Sequence, residues 1–241
     1  VKPYDQRYNF QNAVHYIANY QWQKADRTLR IEGYYKDYQS LIREYTPGNG
    51  AHYDANIYRT LDSGLATRSL KVDNSGHGYA GGAELFWRDK KTIKNTDYWI
   101  SYSYIDTKRF YKNFVSEATP EFISTHNLNV VAKYWIEKIN TQVNATYSFA
   151  SGRPYYDPGA AFLSGRAPEY HNLSFTVNHL RSIKKWFMVF YAGVDNVTNH
   201  KNIFGYRYAA DGTRTAIVPP LYRSYFVGIN MSLTKFDKDE L

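Results

Sequence analysis

Apolar residues recur at every second position through most of this chain. Leu128, Val130, Ala132, Tyr134 and Ile136 share one phase. After the polar turn Glu137-Lys138-Ile139-Asn140, the alternation resumes with Val143, Ala145, Tyr147 and Phe149. Asn129, Lys133, Gln142, Asn144, Thr146 and Ser148 fill the intervening positions. A period of two puts successive side chains on opposite faces of a strand. The stretch therefore predicts a β-hairpin with one apolar and one polar face.

The same period predicts further strands over Phe10–Gln23, Thr28–Tyr45, Tyr79–Arg88, Asp97–Lys108, Tyr170–Leu180, Trp186–Val194 and Tyr222–Leu233. A small hairpin turning at Asp211-Gly212 is expected inside the long segment Asp195–Pro220, because Asp-Gly suits a tight two-residue turn. No stretch carries a helical period. The class is all-β, with about nine long strands.

The spacing between strands decides what the apolar face meets. Short connections at Lys24–Arg27, Asp89–Asn95, Glu137–Asn140 and Arg181–Lys185 alternate with long ones. A soluble sandwich has no reason to sort its loops by end, whereas an outer-membrane barrel has short turns on one side and long loops on the other. The strands also exceed the ~5–6 residues usual in soluble sheets. The polar positions are rich in Asn, Gln, Ser and Thr, which suits a wet lumen. These features predict a transmembrane antiparallel β-barrel wall, with a soluble β-sandwich or propeller as the alternative. In the barrel, Val14, Tyr20, Leu29, Ile31, Leu85, Ile100, Val130, Val143, Phe175, Val227 and Ile229 face lipid.

Composition narrows this reading further. The 241 residues include 25 Tyr and 13 Phe, and the net charge is +8. Much of the positive excess falls in the short connections, at Lys90, Lys91, Lys94, Lys138, Arg181, Lys184 and Lys185. Scattered turn charge of this kind reads as solvation, and no nucleic-acid partner is expected. No run approaches the ~20 apolar residues of a membrane helix. There is no Cys, which excludes a disulfide scaffold and a thiolate metal site. The chain opens Val-Lys-Pro-Tyr without Met or signal peptide, which suggests a processed or excised piece.

Four C-terminal segments carry a resemblance. "SFASGRPYYDP" from Ser148, "RAPEYHNLSFTV" from Arg166, "AGVDNVTNHKNIFGY" from Ala192 and "RSYFVGINMSL" from Arg223 occur in that order. Together they resemble the closing strands of TonB-dependent outer-membrane receptors, especially those of Bacteroidetes, over Gly78 to Leu233. The resemblance implies a barrel of about 22 strands. It further implies an N-terminal plug and import of a siderophore, haem, cobalamin or glycan driven through TonB. By that likeness, residues 1–236 are the C-terminal part of the barrel and 237–241 a polar tail. The remaining strands and the plug come from the same gene product or a companion chain. The plug contacts the TonB complex, and the wall contacts outer-membrane lipid and lipopolysaccharide. A passive porin or structural barrel subunit is the alternative.

The candidate chemistry is binding, with no catalysis and no cofactor. Seven His are scattered without metal-ligand spacing. Ser174 and His171 fall on opposite faces of one strand, so no nucleophile–base pair forms and the chain is not expected to be an enzyme. Aromatic and basic residues at the long-loop end can stack on and hydrogen-bond an anionic or sugar ligand: His52, Tyr53, Arg59, Tyr111, Arg153, Tyr155 and Tyr156. The alternative is that these side chains pack loop against loop. Gly33, Gly81 and Gly82 mark ordinary sheet coiling, with bulges or the close approach of a plug as the alternatives. On the strand argument, the segments Phe10–Gln23 and Tyr222–Leu233 form edges that do not pair with each other.

Overall fold

A computed structural model describes residues 9–45, 71–209 and 211–233. Nine strands form one antiparallel meander. They are β1 (Asn12–Lys24), β2 (Arg27–Tyr45), β3 (Lys71–Asp89), β4 (Thr96–Phe110), β5 (His126–Ile136), β6 (Thr141–Ala150), β9 (Tyr170–Ile183), β10 (Trp186–Asp195) and β13 (Ser224–Ser232). Each pairs with its neighbour in chain order. The two-residue strands β7 (Pro154–Tyr155) and β8 (Gly165–Arg166) pair within one loop. The hairpin of β11 (Gly205–Tyr208) and β12 (Arg214–Ile217) stands in another, and its turn contains Gly212 at φ +83°.

The short connections are built by residues that accept positive φ. Ala25 (φ 50°) turns β1 into β2, Asn95 (φ 59°) leads into β4, Asn140 (φ 45°) closes a single 3-10 turn at Glu137–Ile139, and Lys184 (φ 56°) turns β9 into β10. Side chains secure the turn before β4. Asp89, only 2% exposed, accepts the Lys91 and Thr92 backbone N–H groups at 2.7 and 2.9 Å, and Arg27 Nε donates to it at 3.1 Å. Arg88 grips Asp97 with two nitrogens at 2.8 and 2.6 Å. All four turns lie at one end of the sheet, and the long loops lie at the other.

Cross-strand register turns the period-two pattern into two continuous faces. One row runs Tyr20, Ile31, Leu85, Tyr102, Leu128, Phe149. Another runs Tyr134, Val143, Val177, Ala192, Val227. Every residue expected to face lipid falls on this one apolar face. Among the described residues no helix or second sheet covers it, and Val227 is 84% exposed. The buried apolar residues are few and sit mainly in the loops, around Phe114, Ala118 and Leu163.

β3 begins eight positions earlier than expected. The stretch Lys71–Gly78 lacks alternation, yet it pairs with the upper part of β2 across two register shifts. Backbone approach explains this. A Cβ on Gly76 would stand 2.6 Å from the Leu41 carbonyl oxygen, and one on Gly78 would stand 2.6 Å from that of Lys108. The bulges lie here, between Tyr38 and Arg43, and not at Gly81-Gly82. Strands β1 and β13 end the sheet and are not paired with each other.

Candidate ligand-facing wall and loop mouth

The second face of the sheet is polar. One row reads Gln21, Arg30, Phe86, Ser101, Asn129, Ser148, Asn172. Glu32, Glu84 and Lys133 lie on the same face. These groups bond across strands. Ser148 Oγ donates to Asn129 Oδ1 at 2.8 Å, and Asn144 Nδ2 donates to Thr176 Oγ1 at 2.8 Å. Ser174 Oγ and Asn172 Nδ2 both donate to Asp195 Oδ1, at 2.6 and 2.9 Å. Asn144, Asn172 and Asn230, which read as Asn-x-Ser/Thr acceptors, thus belong to the polar face.

Aromatic rings on this face lie against cross-strand glycines. A Cβ on Gly82 would stand 2.5 Å from the Tyr34 hydroxyl oxygen. One on Gly193 would meet Phe226 at 2.3 Å, and one on Gly228 would meet Tyr191 at 2.3 Å. Each glycine seats the ring of the residue directly opposite it. The rings thereby lie flat along the wall instead of filling the space above it.

At the long-loop end a pocket of about 320 Å³ opens on the polar side. Asn127, Asn129, Ser148 and Tyr170 supply its floor, and Ser124, Arg153 and Phe204 supply its rim. Arg153 Nε lies 3.4 Å from Ser124 Oγ. The combination of amide, hydroxyl, guanidinium and two aromatic rings can hydrogen-bond and stack on a polar ligand.

The other candidates divide. Tyr155 docks sideways on the β11–β12 hairpin, 4.8 Å from the Tyr206 ring. Arg214 lies 4.5 Å above that ring. Tyr208 joins this contact, and burial together with Asp157 pushes its phenol pKa up. Tyr111 and Tyr156 pack in the loop cluster. Tyr111 meets Phe114 edge-on at 4.8 Å, and burial raises its pKa. Tyr156 lies 6.4 Å from Phe162. Arg153 alone of these four lines the pocket, and His52, Tyr53 and Arg59 lie outside the described residues.

Sequence reasoning did not single out the device that fixes the loop after β10. Asn196 is 2% exposed and left-handed at φ 52°. Its Nδ2 donates to the His200 and Tyr222 carbonyls at 2.9 and 2.6 Å. Its Oδ1 accepts from His200 N and Thr198 Oγ1 at 3.0 and 3.1 Å. Arg223 Nε and Nη2 donate to the Asn196 and Val197 carbonyls at 3.2 and 2.5 Å. This clip ties the end of β10 to the start of β13 and sets the segment that delivers Phe204 to the pocket. In the sequence Asn196 and Arg223 stand in two of the four quoted C-terminal segments, and nothing local shows that they meet.

The outward face has its own polar limits. At the long-loop end, the Tyr102 and Tyr147 hydroxyls lie 2.8 and 2.9 Å from Nδ1 of His126 and His171. His171 sits 3.6 Å from Glu169. The register places His171 outward and Ser174 on the polar face. No group of three or more His, Asp or Glu is placed to hold a metal among the described residues.

The solved structures settle the architecture. The ferric-catecholate import receptor Fiu of Escherichia coli, in its closed form, superposes with a TM-score of 0.63 at 13% identity, over 92% of this chain and 27% of its own. The outer membrane transporter YddB of E. coli gives 0.64 at 11%, over 92% and 32%. The FrpB iron transporter of Neisseria meningitidis gives 0.64 at 12%, over 92% and 31%. The chain has the fold of an outer-membrane transporter barrel wall. It spans about a third or less of the length of those chains. No family model and no curated protein matches this wall in sequence.

Proposed function

We propose that the chain is the C-terminal part of the barrel of a TonB-dependent uptake receptor in the outer membrane, admitting a scarce nutrient such as a siderophore, haem, cobalamin or glycan. The observation that carries this is the uncovered apolar face and its height. From His171 to Arg181, the outward residues of β9 are Leu173, Phe175, Val177 and His179. Ten residues at ~3.3 Å, tilted by ~40°, span ~25 Å, the height of the apolar band of an outer-membrane barrel. Tyr147 with His171 at one limit, and Trp186 with Arg181 at the other, suit the two interfaces.

In this reading the short turns face the periplasm and the long loops face outside. The polar face lines the lumen, and the pocket beside Arg153 opens toward the arriving ligand. Further strands pair with β1 and β13, because open edges in lipid leave N–H and C=O groups unsatisfied at several kcal/mol each. A plug, contacted by TonB, does the gating, and the wall contacts lipid and lipopolysaccharide. The likeness to Bacteroidetes receptors rests on the four C-terminal segments alone.

The test is uptake by cells that make the protein, with and without a functional TonB system, over a panel of ferric siderophores, haem, cobalamin and oligosaccharides. Energy-dependent uptake of one ligand is expected. Equal solute flux in both strains would favour a passive porin instead.

A further inference from the structure

The β9–β10 hairpin outruns its neighbour at the short-turn end. Thr141 of β6 pairs with His179, and β9 then continues to Ile183 beside the Glu137–Asn140 turn. This leaves a notch of about 500 Å³ between the turn and the strand, lined by Ile139, Asn140, His179, Arg181 and Ser182 among others. The Leu180 N–H bonds the Asn140 carbonyl at 2.9 Å. Antiparallel alternation turns the next N–H on that side, that of Ser182, into the notch.

Arg181 stands on the outward face, in the row of Met188 and Met231. It is exposed and forms no ion pair among the described residues. A cation on the lipid face costs ~2–4 kcal/mol at the midplane and ~0–1 near the interface. Arg181 therefore marks headgroup depth. Exposed Lys138 lies with Glu137 in the turn that borders the notch, and exposed Lys184 and Lys185 lie in the turn between β9 and β10. Exposed Ile139, Ile183 and Trp186 stand beside them as apolar anchors.

We propose that this notch binds the phosphodiester headgroup of an anionic phospholipid in the leaflet facing the short turns. The Arg181 guanidinium and Ser182 N–H bond the phosphate oxygens, the lysines add charge, and the acyl chains lie along Met188 and Met231. The inference rests on the outer-membrane reading given above.

The test is retention of lipid by the complete barrel, this wall together with the strands that pair with β1 and β13, in nanodiscs of mixed phosphatidylcholine and phosphatidylglycerol, extracted and measured by native mass spectrometry. Phosphatidylglycerol should be retained preferentially. Arg181→Gln and Lys184→Gln should each lower that preference about five-fold, while Lys36→Gln on the polar face leaves it unchanged. Heat-shifted migration on gels shows that each variant folds. Equal retention of the two lipids, or no effect of Arg181→Gln, would overturn the site and leave only solvated cations. Displacement by inorganic phosphate at matched concentration would assign a free-anion site instead. A protein that enters no nanodisc would overturn the membrane reading itself, whereas entry without lipid preference overturns only this proposal.

Discussion

Replacing Asn196 by Ala should release the loop between β10 and β13 while leaving the sheet intact. The side chain makes four hydrogen bonds, to the His200 and Tyr222 carbonyls, His200 N and Thr198 Oγ1. At about 1 kcal/mol net for each, their loss amounts to about 4 kcal/mol. Ala also tolerates φ 52° less well than Asn, which adds ~1 kcal/mol. Each 1.4 kcal/mol is a tenfold change, so the sum of about 5 kcal/mol should make opening of this segment several thousandfold more frequent. Hydrogen–deuterium exchange reads this directly at Val197 N–H, which bonds the Leu173 carbonyl at 2.7 Å. Asn196→Gly separates the two contributions. It loses the same four bonds but accepts the backbone angle, so its exchange should lie about five-fold below that of the Ala variant. Peptides from the β5–β6 hairpin serve as the control and should be unchanged. An acceleration under tenfold at Val197, or an equal acceleration in the control, would refute the clip as a local latch.

Three further outcomes follow from the two faces and the loops. Val143→Arg places a charge between Tyr134 and Val177 at mid-height of the outward face, costing ~2–4 kcal/mol, so folded yield should fall sharply, whereas Asn144→Arg on the polar face should fold nearly as well as wild type; equal losses would count against the lipid assignment. Replacing Arg153, Tyr155 and Tyr156 together with Ala should weaken uptake or binding of the native ligand without loss of barrel assembly, and Arg153→Ala alone should account for most of the loss, because the two tyrosines pack against Tyr206 and Phe162. Gly228→Val pushes a side chain into the Tyr191 ring and should lower the thermal midpoint by an overpacking cost of ~1–3 kcal/mol, which Tyr191→Ala in the same chain should partly restore.

Alternation and loop spacing already carry the architecture. Strand alternation is a local property: side chains point to opposite faces at every step, so a half-apolar wall must write period two into its residues. The sorting of loop lengths is equally local, and it predicted the four tight turns and the Asp211-Gly212 hairpin. Tertiary structure decided what alternation cannot carry. The upper part of β3 lacks the period because its partners are backbone atoms beside Gly76 and Gly78. Register decided which ring meets which glycine, as at Tyr191 and Gly228. Packing of one loop against another separated Arg153, which lines the pocket, from Tyr155 and Tyr156 a few positions on, which do not. Asn196 and Arg223 meet across 27 residues because β10 and β13 are neighbours in the sheet. Contacts between residues distant in sequence depend on where the chain returns, and no local pattern records that return.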